Sequence, residues 1–443
     1  MRRTALLLLV PIAASANTLE VGPGKPYATP CAAIGSAQAG DRIEVDASGS
    51  YNGDTCEWTT DNLTVVGING RAKIDLTGVT PAQDKGIFTV DAPNATIQSF
   101  ELSGAAISQA EGNNGAGIRH GGTNLTVIDC YFHDNQDGIL GSPPSAGSGS
   151  VTIQASEFYN NGAGDGFSHN MYLGDYGSVT VIGSFSHHAN VGHLLKSRGY
   201  VNTIMYNALL DETGGTASYE IDLPQGGTST IIGNFIEQSA ASMNPTIISS
   251  GEETPLNPTQ QIYLVNNTIV NDLSSGTFTS FIAGTTALLQ NNIYHGAGTI
   301  TTGGSAMQVT NWTDTQGDPM LGSSYDLLSG SPCIDAGSTL PMQSLVPTME
   351  YVAPLMLVGR MIAGTAIDIG ADEVGGQTAL GGDGNAIGDD TDAGTGSGST
   401  GKSSSGCGCQ SRRGDGPSFA IISIVLFALS RRGANRRACA RSS

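Results

Sequence analysis

Ile204-Met205-Tyr206-Asn207-Ala208-Leu209, Ile231-Ile232-Gly233-Asn234-Phe235-Ile236, Leu264-Val265-Asn266-Asn267-Thr268-Ile269 and Leu289-Gln290-Asn291-Asn292-Ile293-Tyr294 follow one plan. Apolar residues lead into a small polar residue, and another apolar residue follows. The plan extends upstream through Val127-Ile128-Asp129-Cys130-Tyr131-Phe132, Ile153-Gln154-Ala155-Ser156-Glu157-Phe158 and Val181-Ile182-Gly183-Ser184-Phe185. Its key positions, 130, 156, 184, 207, 234, 267 and 292, lie 26, 28, 23, 27, 33 and 25 residues apart, a mean of 27. That period, with short β-branched runs and Gly or Asn at the corners, describes one coil of a parallel β-solenoid, each turn burying its apolar side chains against the next. Asn207, Asn234, Asn267 and Asn292 are then expected to stack as a ladder, each amide bonding the turn backbone and the equivalent amide one coil away. Long segments of helical period are absent, which argues against a leucine-rich or helical solenoid. A two-sheet sandwich would place turns about every 8–12 residues. The predicted fold class is all-β, a single-stranded parallel β-helix.

Composition agrees. Gly makes up 62 of 443 residues, and charged residues are only 13 %, while 39 % hydrophobic residues suffice for a core. The formal charge of −20 understates the acidity of the body, because residues 1–16 and 407–443 hold nine Arg and one Asp. What remains has ten cations against 38 anions, about −28. Such a surface repels phosphate backbones and excludes nucleic acid as a partner.

The ends read as addresses. Met1-Arg2-Arg3, the apolar run Leu6 to Ile12 and Ala14-Ser15-Ala16 predict a secretory signal over residues 1–16. Residues 375–406, rich in Gly, Asp, Ser and Thr, predict a flexible linker between the domain at 17–374 and the tail. Residues 407–443 carry Cys407-Gly408-Cys409, an apolar stretch from Pro417 to Leu429, and Arg431, Arg432, Arg436 and Arg437. Thirteen residues fall short of the roughly twenty of a bilayer span, so a peripheral helix is one reading. The tail also resembles the C-terminal segments by which myxobacteria and their relatives attach secreted proteins to the cell surface. That resemblance implies a protein secreted and held on the outer surface, with the cell envelope as a partner. In an oxidising compartment Cys31 and Cys56 are the expected disulfide, and Cys130 and Cys333 are expected as buried thiols. A monomer is expected.

In so acidic a body each cation is informative. Between Gly86 and Gly359 the Lys and Arg residues are Arg119, Lys196 and Arg198, and all seven histidines lie in the same interval. Arg119-His120, His169-Asn170-Met171-Tyr172, His193-Leu194-Leu195-Lys196-Ser197-Arg198 and Tyr219-Glu220-Ile221-Asp222 each fall roughly 10–15 residues from a ladder position. Coils about 4.8 Å apart should therefore carry them on one face, with His169, Lys196 and Asp222 side by side. Lys196, His193, Arg198 and Tyr219 are the catalytic candidates; Arg119, His120, His169, Asn170, Tyr172, Glu220 and Asp222 are the substrate-binding candidates. The structural alternative is an ion-pair ladder in which Lys196 neutralises Glu220 or Asp222, worth under about 1 kcal/mol if exposed.

Tyr27-Ala28-Thr29-Pro30-Cys31, Ala39-Gly40-Asp41-Arg42-Ile43 before the first coil and Ser331-Pro332-Cys333-Ile334-Asp335-Ala336-Gly337 with Asp368-Ile369-Gly370-Ala371 at the close resemble the right-handed parallel β-helix proteins of the pectate-lyase-like superfamily. The resemblance spans residues 17–374 and implies a right-handed helix. Lys196-Ser197 followed by Tyr206-Asn207 further resembles the alginate lyase and chondroitinase B family, which implies that Lys196 removes the proton beside a uronate carboxyl. Ala189 to Val191 lacks the two calcium-holding glutamates of that family, and Glu220-Ile221-Asp222 replaces its Arg-His-Gly acid.

Three functions stay open. Lyase-type β-elimination on an extracellular polysaccharide would use Lys196 or His193 as base, Arg198 or Arg119 as neutraliser and Tyr219 as acid, with Glu220 and Asp222 holding a Ca2+. Glycoside hydrolysis would use Glu220 and Asp222, expected on one face of their strand, with Glu252 or Glu253 as partner. A carbohydrate-binding scaffold or adhesin needs no chemistry.

Overall fold

The computed structural model describes residues 16–379. Nearly all of the signal segment, most of the linker and the whole sorting tail lie outside the described residues. Asn124–Ile128, Tyr131–His133 and Asp137–Gly141 show how one coil is built. The first strand joins a twelve-stranded sheet, sheet I; the second joins a ten-stranded sheet, sheet II; the third joins another ten-stranded sheet, sheet III. All three pair in parallel with the coils above and below. This is the predicted right-handed parallel β-helix. Sheet I strands alternate as expected of one buried face: in Asn124–Ile128 only Leu125 and Val127 turn into the core. Sheet III differs, since Asp137–Gly141 and His193–Ser197 are buried at every position.

The corner between sheets I and II explains the repeat. Asp129, Ala155, Gly183, Tyr206, Gly233, Asn266, Asn291 and Thr310 all have left-handed φ between 45° and 66°. Each immediately precedes a ladder residue. A Cβ is tolerated there at a cost, and Gly183 and Gly233 avoid it. Behind them the ladder runs unbroken. Cys130 N donates to Ser156 Oγ at 3.1 Å, Ser156 N to Ser184 Oγ at 3.3 Å, and Ser184 N to Asn207 Oδ1 at 2.9 Å. Asn207, Asn234 and Asn267 then donate from their backbone N to the next Oδ1 at 2.9, 3.0 and 2.9 Å. Asn292 adds a rung to Asn311 at 2.9 Å.

The start of the stack is closed by a five-residue helix, Pro30–Ile34, capped by Thr29 Oγ1. Cys31 and Cys56 are joined by a disulfide, and Cys130 and Cys333 are buried free thiols. The coils end at Trp312–Thr313. Residues 314–379 turn back along the solenoid and add an antiparallel sheet of Met349–Val352, Met356–Arg360 and Gln377–Thr378. They reach far down the stack. Thr348 N donates to Tyr206 Oη at 3.0 Å, and Asn266 Nδ2 donates to Asp368 O at 2.8 Å. No helix among the described residues is long and apolar enough to cross a membrane.

Candidate active site

Parallel register sets the site. Along sheet III, Arg119, Leu140, Tyr172, Lys196, Asp222 and Ser249 stand opposite one another on successive coils. Four coil steps, roughly 19 Å, separate Arg119 from Asp222. The alternation within each strand points this column away from the core, because its neighbours Leu173, Leu195, Ile221 and Ile248 fill the interior.

Lys196 is the centre. Its Nζ lies 3.3 Å from Asp222 Oδ2 and 3.5 Å from Glu253 Oε1, and 5.5 Å from the Tyr172 ring centroid. Despite facing outward, Lys196 is only 9 % exposed and Asp222 3 %. Arg198 immediately follows the strand His193–Ser197; its Nε donates to Tyr172 Oη at 2.9 Å and its Nη2 pairs with Glu253 Oε2 at 2.5 Å. Glu253 thus bridges both cations, a role that its place in the connection from Thr246–Ser250 to Gln260–Val265 does not advertise. Tyr219 Oη donates to Glu252 Oε2 at 3.1 Å.

Environment divides the titrating groups. Burial pushes the Asp222 carboxyl up to about 6, although Lys196 opposes it. Burial also works on Glu253, but Arg198 and Lys196 outweigh it and hold that carboxyl below its usual range. Desolvation, with Lys196 adding to it, pushes the His193 imidazole down to about 3, so it is neutral. Its Nε2 lies 3.4 Å from Asp222 Oδ2, and its Nδ1 is buried without a partner. Burial, then Glu252, raises the Tyr219 phenol to about 12, which keeps it protonated and able to donate. Burial lowers Arg119 against the pull of Asp137 and Asp91, and its Nη1 is buried and unpartnered.

Several expected residues lie elsewhere. Tyr172, not His169, stands in register with Lys196. His169 is buried, stacks on His193 at 4.3 Å, and accepts from His193 N at 3.0 Å through Nδ1. Asn170 belongs to the interior: it accepts from Asn161 N at 3.1 Å and donates to His187 O at 2.9 Å. With Asn135 and Asn161 it forms a second amide ladder, which the 27-residue recurrence does not reveal. His120 is also buried, its Nδ1 2.6 Å from Tyr176 Oη. Glu220 does not share a face with Asp222. It stands in the core column of Leu194, Ile247 and Phe278, beside Asp211 and Glu237, with both oxygens unpartnered. Glu220 and Asp222 therefore do not converge on a Ca2+ as expected, and the Glu220–Asp222 carboxylate pair for hydrolysis does not form. Two concavities flank the ends of the stack, one lined by Asn17, Leu19, Tyr27 and Asp41, the other by Phe278, Tyr294 and Asp314. Neither includes Lys196.

No family model and no curated protein matches the sequence. Among solved structures the chain is similar to one described as the crystal structure of pectate lyase Pel9A, with a TM-score of 0.56 and 17 % identity. The match covers 81 % of this chain and 97 % of that one. At that identity the likeness establishes a shared fold, a parallel β-helix.

Proposed function

We propose that the protein is a secreted, surface-attached polysaccharide lyase that cleaves an extracellular uronan by β-elimination on the outer face of sheet III. One observation carries this reading: in an acidic body, Arg119 and Lys196 share one column of one sheet, and Arg198 lies two residues beyond Lys196. An anionic sugar chain needs such a cationic track. Arg198, already held by Tyr172, neutralises the uronate carboxylate and so acidifies the neighbouring C5–H. Lys196, in its amine form, takes the C5 proton. The C5–H electron pair becomes the C4=C5 double bond, the C4–O4 bond breaks, and Tyr219 donates its proton to the departing O4. Neutral His193 positions Asp222 beside Lys196. The pectate lyase activity in the name of the structural neighbour supports the same reaction class.

The test is the full chain incubated with a panel of uronans, with and without Ca2+, following ultraviolet absorbance of the unsaturated product. Lys196→Ala is expected to lose on the order of 10²–10⁴ in rate, the usual contribution of a general base. Unchanged turnover in that variant overturns the assignment.

Asp222 and Glu253 favour a second reading. Both carboxyls approach Lys196 Nζ, one raised to about 6 and the other held low, the split of protonation that glycoside hydrolysis uses. New reducing ends without new ultraviolet absorbance select it. Binding without either signal selects a carbohydrate-binding scaffold.

A further inference from the structure

We propose that His187, His188 and Glu212 form a binding site for a zinc-class divalent cation at the end of the sheet II strands, separate from the Lys196 cluster. His187 ends the strand Phe185–His187, His188 follows it, and Glu212 lies two residues past Ala208–Leu210 on the next coil. His188 and Glu212 both adopt left-handed φ, 49° and 58°, an uncommon conformation outside glycine.

The three ligand atoms form a tight triangle. His187 Nδ1 and His188 Nδ1 lie 3.2 Å apart, and Glu212 Oε2 lies 3.0 Å from the first and 3.3 Å from the second. Bonds of about 2.0–2.1 Å to zinc imply tetrahedral edges of roughly 3.3 Å. The observed triangle is one face of such a tetrahedron. Protons can satisfy only two of the three close approaches, since each nitrogen carries at most one; a cation above the triangle satisfies all three. Two imidazoles and one carboxylate suit zinc and its late-transition-metal neighbours, whereas calcium and magnesium prefer all-oxygen shells. Three protein ligands leave the fourth position to water.

The surroundings fit. A histidine that ligates through Nδ1 carries its proton on Nε2, and His187 Nε2 faces Glu157 Oε1 at 3.4 Å, the outer carboxylate that orients a metal-bound imidazole. Phe185 stacks on His187 at 4.0 Å, and the Tyr159 ring lies 4.8 Å from His187 and 5.5 Å from His188. Glu237 Oε2 accepts from Glu212 N at 2.6 Å and fixes that turn. Among the described residues no lysine or arginine pairs with Glu212 or Glu157.

The test uses the full chain with its thiols alkylated, dialysed against Zn2+ alone or Co2+ alone. The wild type is expected to retain one more equivalent of zinc than the His188→Ala/Glu212→Gln double variant, and its Co2+ form to show the intense visible bands of tetrahedral cobalt. Glu157→Gln is expected to keep the site but weaken it by about 10–100-fold, while Lys196→Ala binds zinc as the wild type does. Equal zinc in wild type and double variant, or the pale spectrum of six-coordinate cobalt in the wild type, overturns the proposal. The cobalt spectrum decides even where the double variant misfolds.

Discussion

Glu220 stands where neighbouring coils place Leu194, Ile247 and Phe278, so its carboxyl sits among apolar side chains with neither oxygen bonded. Burial, then the nearby Asp211, drives its pKa well above the ordinary glutamate value. The sign follows. Below the unfolded value of about 4.3 both states hold the proton and the group costs little extra. As pH rises, the unfolded chain ionises while the folded one does not, and stability is lost. Replacing Glu220 with Leu, the residue type one coil earlier, should raise stability at pH 8 by about 1–3 kcal/mol, with the smallest gain near pH 4. Urea titrations at the two pH values measure this; equal midpoints for wild type and Glu220→Leu at pH 8 would refute it. The same residue-scale logic separates Asp222 from Glu253: one is buried, the other answers to Arg198.

At the scale of the element, the corner amides bind coil to coil. Asn234 Oδ1 accepts from Asn207 N and Nδ2, both at 2.9 Å, and its Nδ2 donates to Ile204 O and Asn267 Oδ1, also at 2.9 Å. An Asn234→Ala substitution leaves buried groups on two coils without partners, each costing about 1–3 kcal/mol. A loss of at least about 2 kcal/mol is expected in equilibrium unfolding, and a loss under about 0.5 kcal/mol would show the ladder to be incidental. Asn→Ser should be milder, since Ser156 and Ser184 already serve as rungs earlier in the stack.

For the molecule as a whole, the returning segment 314–379 covers apolar outer surface that a bare solenoid would expose. Tyr206, Ile232 and Val265 pack with Leu340 and Leu345, while Ala208 and Phe235 pack with Tyr351. Arg360 holds this segment's own fold. It is buried, pairs with Glu373 at 3.0 Å, approaches Glu350 at 3.7 Å, and donates to Ala371 O at 2.8 Å. Arg360→Met strands two buried carboxyls and should cost about 3–5 kcal/mol. Limited proteolysis should then cut between residues 314 and 379 before it cuts the coils. An unchanged melting temperature together with an unchanged cleavage pattern would show that the segment holds without Arg360.

The 27-residue recurrence was legible because a solenoid writes its stacking into the sequence: residues one period apart become neighbours, so Lys196 and Asp222 could be paired in advance. His169 was misplaced by three positions and Asn170 assigned outward because the connection from 160 to 170 changes where the next strand begins. Glu220 was turned the wrong way because alternation fails at the start of its strand, where Glu220 and Ile221 both enter the core. The His187, His188 and Glu212 triangle depends on left-handed turns in two coils, which residue types alone do not signal. The sequence thus determined the coil, its ladder and which strands lie side by side, since these follow from periodic burial. Only the tertiary structure decided where side chains point at strand ends and how residues 314–379 return, because those depend on local backbone bends and on contacts as distant as Tyr206 and Thr348.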